Sequence, residues 1–284
     1  MWLIDAVVNG FATATPVWHI EAVRALVGIA LLAKALLGIT RGGWSRFERG
    51  SFERFRVDRS GGRPAAFVAR AHRPIIVVRV VSAVAVAIGW APHTSLAVSI
   101  GGLLTEQAVE RRRNTAFLVM TCAALLAGGR LAEPLPWTFS SARTSENTWS
   151  QVLLVLLLTQ TYWNGAWLKA RSRQVRSGAM LAQYVWHRSQ IQHRTEHREF
   201  WFPAWATRLF GQLSEDCRRR WRVLGWTAIA SEAVLPVALL VPRAWPWAAL
   251  AGLAMHAAFL VLMPRRLFHF SLATVSTYLA FLDS

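Results

Sequence analysis

Residues 223–263 read VLGWTAIASEAVLPVALLVPRAWPWAALAGLAMHAAFLVLM. Two apolar blocks, 223–242 and 244–263, are separated only by Arg243, and as helices each is long enough to cross about 30 Å of hydrocarbon. Pro236 interrupts the first block, which a helix tolerates when neighbouring groups satisfy the carbonyl it frees. The apolarity is continuous and lacks the period-two alternation of an outer-membrane barrel, so the stretch predicts membrane helices.

Outward from this pair, blocks of the same kind fall at 18–40, 74–91, 94–109, 115–129, 149–169 and 266–282. Together the eight predict an all-α, multi-pass helical integral membrane protein with a single transmembrane domain over 1–284. Fifteen tryptophans among 284 residues suit interfacial belts better than a soluble core. The first 15 residues carry Asp5 and no basic residue, so a cleaved signal peptide is not expected. Cys122 lies in an apolar run and Cys217 in an Arg-rich one, which predicts neither a disulfide framework nor a zinc knuckle.

The net charge of +17 comes from thirty arginines and two lysines, Lys34 and Lys169, against fifteen acidic residues. In a soluble chain that charge would suggest nucleic acid. Here the arginines fall between apolar blocks, so membrane lipids are the expected partners and nucleic acid is not. Segments 41–73, 110–114, 170–222 and 264–266 hold nine, three, eleven and two basic residues; the alternate segments hold only Arg130, Arg143 and Arg243. The positive-inside rule then predicts the inner membrane, with the first set cytoplasmic and both termini outside. Segment 43–64 is basic and reads as a surface loop or an interfacial helix. Segment 170–222 mixes Trp, Phe, His and Arg and reads as one or two interfacial amphipathic helices broken near Pro203.

A charge in the hydrocarbon costs about 2.5 to 3.5 kcal/mol at mid-helix, so each needs a partner or a purpose. The candidates are Glu21, Arg24, Lys34, Arg79, Glu106, Lys169, Glu232 and His256. Glu21 and Arg24 are three apart on one helical face and can pair. Glu232 and His256 occupy the middles of successive blocks, so antiparallel packing would bring them to similar depth. They can form a structural hydrogen-bonded pair or serve catalysis or binding. Lys169 ends its block, where a lysine can simply snorkel to the interface. Arginine fills nearly every such place in this chain, however, and desolvation neutralises an ammonium far more readily than a guanidinium, so Lys169 is also a candidate base. A third possibility is HRTEH, where His193 and His197 would share a helical face with Glu196 as general base, the inverted zinc-peptidase pattern. No third ligand is evident, so metal chemistry is not favoured.

Four stretches also carry a family resemblance. AVRALVGIALL pairs Arg24 with Gly28. TYWNGAWLKARSRQVRSG runs through Tyr162, Trp163, Gly165, Ala166 and Lys169 to Gly178. SEAVLPVALL holds Glu232 and Pro236, and MHAAFLVLMPRRLFHFS holds His256 and Phe268. In this order, across residues 18–284, the chain resembles the horizontally transferred transmembrane domain family, which includes the vitamin K-dependent gamma-glutamyl carboxylases. The resemblance implies a bacterial carboxylase- or epoxidase-like membrane enzyme acting on a reduced, vitamin K-like quinone with oxygen, or modifying a small peptide. It implies Lys169 as the base that deprotonates the quinone, with Glu232 and His256 shaping the pocket. Arg24, Asn114, Tyr162, Trp163 and Asn164 are the expected substrate-binding residues. In RRNTAF, Asn114 is kept but Thr115 stands where the carboxylases carry a histidine. A different class of reading is a non-enzymatic membrane subunit or immunity-type protein that binds a peptide or lipid between its helices.

Overall fold

The computed structural model describes residues 15–16, 18–40, 43–48, 51–60, 62–109, 112–127, 145–146, 149–191 and 204–282. These are overwhelmingly helical, as the continuous apolar blocks predict. A two-residue antiparallel pairing joins β1 (Thr15–Pro16) to β2 (Ser145–Glu146). The chain divides into two units, Met1–Leu157 with Leu272–Ser284, and Leu158–Ser271.

In the first unit α1 (Trp18–Ile39) is followed by a 3-10 turn (Gly43–Ser45), α2 (Phe52–Ser60), α3 (Arg63–Arg70), α4 (His72–Ile88), α5 (Pro92–Val109) and α6 (Arg113–Ala127). Helix α1 packs along α4, and α5 lies between α4 and α6. The α1–α4 approach depends on Gly28, because a Cβ there would collide with the backbone of Ala87. Arg24, 1% exposed, lies in the same seam and donates from Nη1 to the Val86 carbonyl. A buried guanidinium is tolerable only with such acceptors. The described residues of 43–64, expected as a loop or an interfacial helix, are largely helical. The reason is an apolar cluster invisible to periodicity: Phe47, Val57, Ala65 and Ala69 bury one another where α2 and α3 meet.

Helix α7 (Trp149–Arg171) begins in the first unit and continues into the second, which holds α8 (Arg173–Arg176), α9 (Ala179–Ile191), α10 (Ala204–Phe210), α11 (Glu215–Leu239) and α12 (Trp245–Leu262). Helix α13 (Pro264–Ser276) leaves this unit and is followed by a 3-10 turn (Thr277–Phe281) in the first. Helix α11 starts eight residues before its apolar block. Ser214 caps it by accepting from the Cys217 N–H at 3.3 Å, and Glu215 and Asp216 complement the helix dipole in the first turn. Its amphipathic beginning packs on α9 through Ala182, Val185, Cys217 and Trp221, with the Trp221 indole donating to the Phe210 carbonyl at 3.0 Å. The described part of segment 170–222 is thus helical, as expected; the break near Pro203 lies outside the described residues.

Two described helices, α1 and α11, with 22 and 25 residues, are long and apolar enough to cross a membrane by length and composition. Large apolar side chains also face outward in stripes. On α4 these are Val77, Val81, Val84 and Ile88, at helical spacing, and on α12 Trp247, Leu250 and Val261.

Candidate functional site

The Lys169 end of α7 shows two distinct faces. Tyr162, Gly165, Ala166 and Lys169 recur at i, i+3, i+4 and i+7, which places them on one side. Tyr162 and Ala166 are buried on that side, whereas Trp163, Asn164 and Trp167 are exposed on the other. The lysine is therefore the terminal member of an inward stripe, despite its position at the end of an apolar block.

That stripe meets Glu232. The Lys169 ammonium is ion-paired with Glu232 Oε1, across 63 residues of sequence. Gly165 makes the approach possible, since a Cβ there would stand 3.0 Å from Glu232 Oε2. The carboxylate is 6% exposed and the lysine side chain 34%, so the pair has a dry end and a wetter end. Oε2 is buried and has no hydrogen-bond partner among the described residues. Pro236, four residues on, lacks the N–H that would bond the Glu232 carbonyl, which loosens α11 beside the pair. The Trp163 indole donates to the neighbouring Ala233 carbonyl at 3.0 Å and fastens α7 to α11 at this level.

His256 joins the same stripe by another route. Its Nε2 lies 2.9 Å from the Tyr162 hydroxyl and its Nδ1 3.0 Å from Ser271 Oγ, so both ring nitrogens are engaged. Phe259, one turn further along α12, packs edge-on against His256 and lies under Lys169, whose Nζ is 5.7 Å from the ring centroid. The expected meeting of Glu232 with His256 is replaced by two separate pairings. The reason is that α7 supplies a partner to each: Lys169 to Glu232, and Tyr162 to His256. Successive blocks suggested only their depth, while the third helix decided the bonds.

Lys169, Glu232, His256 and Tyr162 are thus brought into one neighbourhood in the second unit. Trp163 touches it through α11, and Asn164 lies on the exposed face. Arg24 and Asn114 belong to the first unit, at the α1–α4 seam and the start of α6 respectively. Thr115 donates to Glu106 Oε1 at 3.3 Å. His193, Glu196 and His197 lie outside the described residues; among those described, no group of three or more His, Cys, Asp or Glu is placed to hold a metal ion. Sequence reasoning missed Ser271, Phe259 and the contact role of Gly165. Ser271 offered one signal, a hydroxyl inside an apolar block, but nothing marked His256 as its partner.

These features define a class no finer than an all-α protein with a charged, hydrogen-bonded site among apolar helices. Compared with protein-family models, curated proteins and solved structures, the chain matches none.

Proposed function

We propose that the protein is a bacterial multi-pass inner-membrane enzyme whose second unit carries out proton transfer on a quinone-like, lipid-soluble cofactor or on a small peptide, with Lys169 as the base. The observation that carries this reading is the Lys169–Glu232 pair, half open at the lysine and closed at the carboxylate. Moving the shared proton to Glu232 leaves a neutral amine, able to accept a proton from a bound acid. His256, held by Tyr162 and Ser271, fixes the tyrosine hydroxyl on the same face of α7 as the lysine.

Support for the bilayer comes from the eight apolar blocks, each overlapping a helix among the described residues, from the two helices of spanning length, and from the outward apolar stripes on α4 and α12. Support for a quinol-like group comes from the orphaned Glu232 Oε2, an acceptor without a donor, and from Phe259 under Lys169. When bound, a reduced quinone would supply an acidic hydroxyl and electrons for oxygen. The chain's own residues would orient that hydroxyl, hold its proton and exclude water. The order of Arg24, Lys169, Glu232 and His256 along the chain is what resembles the carboxylase membrane domains.

The test is turnover in membranes containing the full chain, supplied with a reduced quinone and oxygen and compared between wild type and Lys169→Arg. Loss of oxygen consumption in the Arg variant is expected, because a guanidinium does not give up its proton in proteins. Full retention would remove the base role. A Lys169–Glu232 ion pair that joins two helices equally suits a non-enzymatic subunit. Recovery of a stoichiometric peptide from the purified protein, with no oxygen consumed, selects that second reading.

A further inference from the structure

The first unit contains a second buried charge cluster. Glu106 on α5 accepts from Lys34 Nζ of α1 at 2.7 Å and from Thr115 Oγ1 of α6 at 3.3 Å through Oε1, and from Arg79 Nη2 of α4 at 3.0 Å through Oε2. These bonds engage both carboxylate oxygens. Among the described residues, Lys34 and Arg79 each make one bond, to this one carboxylate, so most of their N–H groups have no side-chain or backbone acceptor there. Two cations against one anion leave the cluster with a positive charge, in a setting where an uncompensated charge is costly.

The placement of Arg79 shows from which side compensation can come. Its aliphatic stem lies across Gly102, where a Cβ would stand 2.5 Å from Arg79 Cγ, so the glycine holds open the groove in which the side chain runs. Arg79 lies on the face of α4 opposite the outward stripe of Val77, Val81 and Val84, and its side chain is 18% exposed while that of Lys34 is 7% exposed. It sits seven residues into α4, about 10 Å along the axis from the arginine-bearing start of that helix. That depth is within reach of a group entering from the basic end.

We propose that Lys34 and Arg79 form a binding site for one phosphate group, as carried by the head group of an anionic phospholipid. A phosphate supplies the acceptor oxygens and the negative charge the cluster lacks, and the guanidinium fork matches it in a way a water molecule does not. Glu106 acts as the fixed anion that preorganises the two cations from α1 and α4. The site is separate from the Lys169 site. It rests on the bilayer reading only for the lipid as source of the phosphate.

The experiment uses the full chain purified in a neutral detergent. Retention of phosphatidylglycerol and of phosphatidylcholine is read by intact-protein mass spectrometry, with inorganic phosphate as competitor. Wild type is expected to retain one phosphatidylglycerol saturably and in preference to phosphatidylcholine. Arg79→Gln is expected to weaken that retention about tenfold, the size of a lost charged hydrogen bond. Glu106→Gln, which keeps a side-chain acceptor between the two cations but removes its negative charge, is expected to retain the lipid at least as tightly. Displacement by inorganic phosphate supports the site with a free anion as an alternative source; indifference to phosphate supports it with the lipid as sole source. Equal retention of the two lipids by wild type, which needs no variant to fold, overturns the proposal, as does undiminished retention by monodisperse Arg79→Gln. An alkaline wash that strips the chain from membranes removes the bilayer reading, whereas failure of the titration on a membrane-retained chain removes this site alone.

Discussion

Lys169, near the end of α7, is ion-paired with Glu232, in the C-terminal half of α11, and the two are unequally exposed: the carboxylate is 6% accessible and the lysine side chain 34%. The inequality gives the pair a direction. Whichever partner is removed, the survivor's access to water decides the cost.

Lys169→Met leaves a buried carboxylate with no countercharge, and the expected loss of stability is about 3 kcal/mol. Glu232→Gln leaves a lysine that can turn toward water, and its expected cost is about 1 kcal/mol. Thermal unfolding of both variants in the same detergent checks the order. Equal losses would contradict the asymmetry.

Tyr162→Phe leaves one nitrogen of His256 without its partner in a buried site, so a loss of about 1 to 3 kcal/mol is expected. Ser271→Ala releases the other nitrogen at similar cost, and a double-mutant cycle through His256 should show that the losses are not additive. Strict additivity would mean that the two bonds act independently.

Gly28→Val drives a side chain into Ala87 and should separate α1 from α4, costing about 3 kcal/mol or preventing assembly. Gly38→Ala, on the same helix with nothing within 4 Å of the new carbon, should stabilise by about 0.5 to 1 kcal/mol. Yield and unfolding temperature of the two variants test whether close approach, rather than helix propensity, governs this seam.

Under the eight-span reading, an alkaline phosphatase fused after Ser284 should be active outside the cytoplasm. A fusion after Arg176, in the segment rich in arginine, should be inactive. The reverse pattern would invert the sidedness.

Much of the helical architecture was legible because apolar continuity needs no partner to be seen. Each of the eight blocks overlaps a helix among the described residues, and Lys169, Glu232 and His256 were recognisable as charges or imidazoles in an apolar setting. What remained hidden were bonds between elements far apart in the chain. The 43–64 segment was legible only as a loop or an interfacial helix because its apolar residues are few and irregularly spaced; only the meeting of α2 and α3 reveals that Phe47 and Val57 are buried with Ala65 and Ala69. Glu232 and His256 looked like partners because their blocks are adjacent, and α7 intervened with Lys169 and Tyr162.

The sequence by itself determined the all-helical class, the basic segments between apolar blocks and the short roster of ionisable groups that need compensation, because composition and period are local properties. Only the tertiary structure decided who compensates whom: Lys169 with Glu232, Tyr162 and Ser271 with His256, and Lys34 and Arg79 around Glu106. The physical reason is that an ion pair or a hydrogen bond extends only about 3 Å. Which charges come that close depends on how helices rotate and slide against one another, and small residues such as Gly28, Gly102 and Gly165 settle this by allowing contact where a side chain would forbid it.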